Sequence, residues 1–212
     1  MEAGAKFGSL STMRVLIALD GVDIPNAVEP LAEIAGEHEV VVACSEGATV
    51  SLALGNALPD RDVVTVLSQV VISADDPAIA APEERVADPI AIAELRGVRG
   101  LIAAGSLVVC ACEEDAPVVV GEAGTMQEVE ALVDRDLIAA LLARRLDADL
   151  LLLLNDIGSG LLAAKEEAAR RFTGATGRRA TIGSVTEVRR MVAGAGPRGR
   201  VTLPPDDSFQ SG

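Results

Sequence analysis

Hydrophobic and polar positions along the chain alternate between short apolar runs and longer amphipathic stretches. MRVLIALDG, from Met13, is rich in β-formers and ends at Asp20-Gly21, the pattern of a buried strand and its turn. AVEPLAEIAGEH follows with apolar residues at helical spacing, and EVVVACSEG is a second strand, so the chain opens β-α-β and implies a right-handed parallel crossover. DVVTVLSQVVIS reads as the next strand, and ADDPAIAAPEERVADP, rich in proline and acids, as a loop. IAIAELRGVRGLIAAG predicts a helix ending near Gly105, and SLVVCAC a strand that runs into Glu113, Glu114 and Asp115. EVEALVDRDLIAALLARRLDAD sets Leu137, Leu141, Leu142 and Leu146 on one helical face, and LLLLLNDIGSG is a strand with a glycine turn. GLLAAKEEAARRFTGATG predicts a helix closed by Gly174 or Gly177. RATIGS is a short strand, Ser184 to Glu187 a capping box for a last helix, and Val201 to Leu203 an edge strand.

This alternation predicts an α/β fold, a three-layer α/β/α sandwich with a mostly parallel central sheet. One domain is expected over residues 13–203, preceded by a loose extension at 1–12 and followed by a flexible tail at 204–212. Ligands of such sheets bind beyond the carboxyl ends of the strands. The turns that matter are therefore Asp20 to Ile24, Ser45 to Val50, Cys112 to Ala116 and Asn155 to Gly160.

Composition narrows the chemistry. Half of the 212 residues are hydrophobic, yet no apolar run approaches the roughly 18 needed to cross a bilayer, and the first eleven lack the pattern of a secretory signal. A cytoplasmic protein is expected. A formal charge of −14 argues against nucleic acid and anionic membranes as partners, since both are bound through Lys and Arg. The acidic excess lies ahead of residue 165, and the C-terminal quarter is net basic. With no Trp, no Tyr and only three Phe, an aromatic clamp for a nucleobase is hard to build. Cys44, Cys110 and Cys112, odd in number and strand-borne, are expected to be reduced thiols.

Phosphate binding normally uses glycine-rich turns at helix N-termini. Three of the four turns carry acids instead, namely Asp20, Asp23, Glu46, Glu113, Glu114 and Asp115. These either cap helices toward solvent or gather around a cation. The second reading sets Cys44 and Cys112 with Glu46 or Asp20 around a soft divalent metal, although Cys-x-Cys is not the usual zinc spacing. His38, the only histidine, is expected to be a capping or surface residue, which leaves a nucleophilic triad without a base. Two cations stand out. Lys165, one of two lysines, opens a helix where the dipole disfavours it and so hints at an anion contact, with a salt bridge to Glu166 or Glu167 as the alternative. Arg135 sits between Asp134 and Asp136, its expected partners if it makes only a surface bridge.

TVLSQVVISADDPA (65–78), EVEALVDRDLIAALLARRLDADLLLLLND (128–156) and AKEEAARRFTGATGRRATIGS (164–184), together with VLIALDGVDI and IAELRGVRGLIAAGSLVVCA, resemble carbamate kinase, a member of the amino-acid-kinase fold family. The resemblance spans most of residues 13–193. It implies a homodimeric three-layer sandwich that makes ATP and carbamate from ADP and carbamoyl phosphate, with Mg²⁺ and ATP or ADP as cofactors. Carried over position by position, Lys165 and Asp136 match family site residues and Arg135 replaces a lysine. Asp156 matches an aspartate on the nucleotide side, where Asn155 replaces a threonine. Gly21 and Gly47 are what remains of two phosphate-binding turns.

The departures from that pattern are large. The first glycine turn reads Asp20-Gly21-Val22-Asp23, the second Cys44-Ser45-Glu46-Gly47, and a run of four glycines reads Cys112, Glu113, Glu114, Asp115. Helical residues are expected to be missing between Leu54 and Gly55, a lid subdomain after Ala81, and a nucleotide-binding segment after Ile157. A binding or regulatory protein with a weakened or inactive site is therefore the primary expectation, with a protein partner. An active small acyl-phosphate phosphotransferase is the alternative.

Overall fold

The computed structural model describes residues 12–20, 22–112, 116–155, 162–195 and the backbone of 202–203. The expected loose extension, the frayed tail, Gly21, Asp156 and the Glu113-Glu114-Asp115 run lie outside the described residues.

Seven strands form the central sheet. They are β1 (Arg14–Leu19), β2 (Glu39–Cys44), β3 (Val63–Ser68), β7 (Leu107–Cys112), β11 (Leu150–Leu154), β12 (Arg179–Gly183) and β13 (Thr202–Leu203), in the order β13-β12-β11-β1-β2-β7-β3. Every neighbouring pair is parallel except β12 with β13. Parallel strands are covered on both faces, which is why their sequences run almost wholly apolar. Alternate residues serve two separate cores. Leu16, Ala18, Val41, Ala43, Val108, Cys110, Leu151 and Leu153 face α3 (Leu95–Ala103), α4 (Arg135–Arg145) and α5 (Leu162–Thr176). Val15, Ile17, Val40, Val42, Leu107, Val109, Leu150 and Leu152 face α1 (Ile24–Glu37), α2 (Gly47–Ala57) and α6 (Val188–Val192). The fold is thus the three-layer α/β/α sandwich with a mostly parallel sheet that the sequence implied.

Four elements differ from their expected form. DVVTVLSQVVIS is two strands, because the Gln69 amide donates to the Glu94 carboxylate (2.8 Å) and its carbonyl accepts from Ala93, ending the β3 ladder. The chain then enters a second sheet as β4 (Val70–Ile72). The loop after it contains β5 (Val86–Ala87), and the expected helix from Ile90 begins as β6 (Pro89–Ile92), antiparallel to β4. Exposed Ile90 and buried Ile92 show a period of two where a period of 3.6 was expected. Beyond β7, β8 (Val118–Val120) and β9 (Met126–Glu128) complete the small sheet β6-β4-β8-β9, and β10 (Leu132–Val133) pairs with β5. The predicted helix from Glu128 therefore starts only at Arg135, where the Asp134 carboxylate accepts the amides of Asp136 (2.8 Å) and Leu137 (3.2 Å). Ser184 caps a short 3₁₀ turn, Val185–Glu187, ahead of α6.

Helix α2 runs unbroken through Leu54 and Gly55. Its first residue, Gly47, lies so near β7 that an added Cβ would stand 2.5 Å from Ala111 Cβ and 3.1 Å from Thr65 Cγ2. Gly55, on the same helix, has nothing within 4 Å. Gly47→Ala is expected to cost about 1–3 kcal/mol through overpacking, whereas Gly55→Ala is expected to gain about 0.5–1 kcal/mol from helix propensity. Paired thermal melts check this, and equal effects at both positions would contradict the close approach.

Candidate functional site

Between β1 and β11 the crossovers diverge, since β1 leads to α1 on one face and β11 to α5 on the other. Such a switch point opens a crevice beyond the strand ends. Asp20 follows β1, Ser45 and Glu46 follow β2, Cys112 ends β7 and Asn155 follows β11, so all reach this edge.

Helix α4 points its first turn at the crevice, and Asp134 fixes that turn by capping it. Arg135 reaches outward, where its guanidinium donates to Asp20 Oδ1 at 2.8 Å and Ser45 Oγ at 3.4 Å, tying the ends of β1 and β2 to α4. Among the described residues it thus reaches Asp20 and Ser45 rather than the adjacent aspartates expected of a surface bridge. Asp136 turns inward and is 3% exposed, an acid at a helix N-terminus where the dipole favours it.

Lys165 extends from α5 into the same interior and has no solvent exposure. Its Nζ donates to both Asp136 oxygens, at 2.8 and 3.1 Å. The expected alternative of a bridge to Glu166 or Glu167 is corrected by this contact. Glu167 instead pairs with Arg170 and Arg171, since i, i+3 and i, i+4 positions are the neighbours along a helix. Burial pushes the Asp136 carboxyl up, Lys165 pulls it back, and Asp134 and Asp20 add to the rise. Asn155 is buried, and its amide donates to Gly183 O at 3.0 Å.

Cys44 and Cys112 line a narrow void of about 10 Å³ with Asp20, Arg135 and Asp136. Outside it, Leu19, Asp20, Val22, Ile24, Ser45, Glu46 and Arg135 bound an open cleft of about 310 Å³. Among the described residues no three His, Cys, Asp or Glu side chains converge as a metal site requires, so Cys44, Cys112, Glu46 and Asp20 are not gathered into one. Burial also pushes the thiols away from the thiolate a metal needs, Cys44 to about 12 and Cys110 to about 11, with Cys112 raised as well. Asp134 and Ser45, which position Arg135 and Asp136, were not singled out from sequence. The signal for Asp134 was an Asp at the boundary of an apolar helical run.

No protein-family profile matches the chain. Its fold is that of the amino-acid kinases. The carbamate kinase of Giardia lamblia bound to AMP-PNP superposes with a TM-score of 0.80 at 18% identity, over 92% of this chain and 99% of that one. In sequence, the Haemophilus influenzae carbamate kinase is 29% identical over 249 positions, covering 86% of this chain and 78% of the relative. The Rhizobium meliloti carbamate kinase is 27% identical, covering 85% and 90%. The chain is thus similar in sequence to carbamate kinases and has the amino-acid-kinase fold.

Removing one partner of a buried ion pair strands the other charge. Lys165→Met is expected to destabilise by about 3–5 kcal/mol in denaturant titrations, and adding Asp136→Leu is expected to restore most of it. Additive losses would contradict the pair. The raised thiols keep their protons when folded and lose them near pH 9 when unfolded, so their contribution is complete below pH 9.0 and is lost as pH rises toward 11–12. Stability is expected to fall over that window by about 1.4 kcal/mol per pH unit for each buried thiol, less steeply in Cys110→Ala.

Proposed function

We propose that this protein is a non-catalytic relative of the carbamate kinases that serves as a binding or regulatory protein. The observation that carries this reading is the position of Lys165, with no exposed surface and both contacts on Asp136. Phosphoryl transfer works by aiming cations and backbone amides at the moving phosphate. Here the lysine is turned to a carboxylate, Arg135 is turned to Asp20, and the turn after β2 has Ser45 where the family pattern has glycine and the acid Glu46 where it has asparagine. Both cations thus face carboxylates of the chain, and among the described residues no three His, Cys, Asp or Glu side chains converge, which supports a site weakened toward ATP, ADP and Mg²⁺.

The homodimer that the resemblance implies is supported by an exposed Leu67 on the edge strand β3 and an exposed Leu52 on α2, which packs against that strand. A protein partner is the further expectation of a regulatory role. The retention of both Lys165 and Asp136 at matching positions favours, as the second reading, a carbamate kinase or related acyl-phosphate phosphotransferase of reduced rate. Each lost donor to transition-state charge costs about 10²–10³ in rate.

ATP formation from ADP, Mg²⁺ and carbamoyl phosphate separates the two readings. No Lys165-dependent turnover is expected, and no rise in melting temperature with ADP or carbamoyl phosphate. Turnover abolished by Lys165→Met in protein that still melts cooperatively would overturn the non-catalytic reading.

A further inference from the structure

At the opposite end of the sheet, beyond the amino ends of β1 and β2, lies a second cleft of about 220 Å³. It is lined by Met13, Ile34, Val192 and Ala193, with Glu33, Glu37, Arg189 and His38. Helix α1 joins the two clefts, carrying Ile24 at one and Ile34, Glu37 and the cap residue His38 at the other.

Of the two expected placements, capping or surface, His38 takes the first, closing α1, and is only 5% exposed. Its Nδ1 accepts the Met13 amide at 3.4 Å, which places the proton on Nε2. Nε2 has no partner among the described residues and is not sealed from solvent, so it faces the cleft that the ring lines. A donor that opens onto a largely apolar recess is placed to meet a ligand's acceptor. Arg189 uses its Nε on Glu33, leaving its terminal N–H groups at the rim, and the exposed Glu37 carboxylate makes no ion pair within the described residues. The charges call for one ligand carrying both an acceptor anion and a cation, on an aliphatic body that Met13, Ile34 and Val192 can cover. The volume lies below the roughly 300–1,000 Å³ of drug-sized pockets, which restricts the ligand to a small molecule.

We propose that this cleft binds an α-amino acid with an aliphatic side chain. The carboxylate accepts from His38 Nε2 and Arg189, and the ammonium group sits against Glu37. The site is separate from the crevice of Lys165 and does not depend on how that crevice is read.

The test is calorimetry and thermal shift on the full chain with leucine and valine, against isocaproate, which lacks the amine, and isoamylamine, which lacks the carboxylate. Binding of leucine or valine is expected, weakened by about tenfold or more in Glu37→Gln and in His38→Gln and unchanged in Glu46→Gln at the other cleft. Binding of neither amino acid to the wild type would overturn the proposal. So would equal binding of isocaproate or isoamylamine, or binding lost in Glu46→Gln but kept in Glu37→Gln.

Discussion

One buried ion pair joins two of the helices on one face of the sheet and bears on what its carboxyl edge can bind. Lys165 from α5 and Asp136 from α4 meet with almost no solvent between them, at a depth where either charge alone is costly. Each requires the other, so the first turn of α4 and the first turns of α5 are held in a fixed relation. The cap from Asp134 points Asp136 inward and Arg135 outward, and Arg135 then ties α4 to the ends of β1 and β2 through Asp20 and Ser45. The cations that could neutralise a phosphate are thereby committed to carboxylates of the chain itself.

The sheet explains why these residues meet at all. Opposite crossovers from β1 and β11 leave a gap where neither α1 nor α5 covers the strand ends, and a sandwich of this type has its chemistry there. What fills the gap is local sequence. In the turn after β2, Ser45 stands where the family pattern has glycine and Glu46 adds an acid, while Gly47 is held by a different need, the close approach of α2 to Ala111 and Thr65. A glycine retained from a phosphate turn can thus persist through packing alone.

The central layer was legible because parallel strands buried on both faces write themselves as continuous apolar runs. LLLLL of β11 and LVVCAC of β7 allow no other placement. The two smaller sheets were not legible, because β4, β5, β8, β9 and β10 are only two or three residues long, and Gln69 breaks the apolar stretch 63–72 by hydrogen bonding rather than by composition. Arg135, Asp136 and Lys165 were found as candidates from sequence, but their pairing was not. Sequence neighbours offered each cation a nearer acid, and only the packing of α4 on α5 brings Asp136 to Lys165 across 29 positions. His38 is the helix-end cap that its position implied, but its burial was not legible, since it comes from the contact with Met13 just ahead of β1.

The central claim is that Lys165 is unavailable to a ligand in the native protein. Because the chain has only two lysines, Lys6 and Lys165, acetylation by a small reagent read by peptide mass spectrometry follows Lys165 without ambiguity. The account predicts that Lys165 is acetylated in denatured protein and protected in native protein, at a rate that rises only when denaturant opens the fold. Acetylation of native Lys165 at a rate close to that of the denatured chain would contradict it.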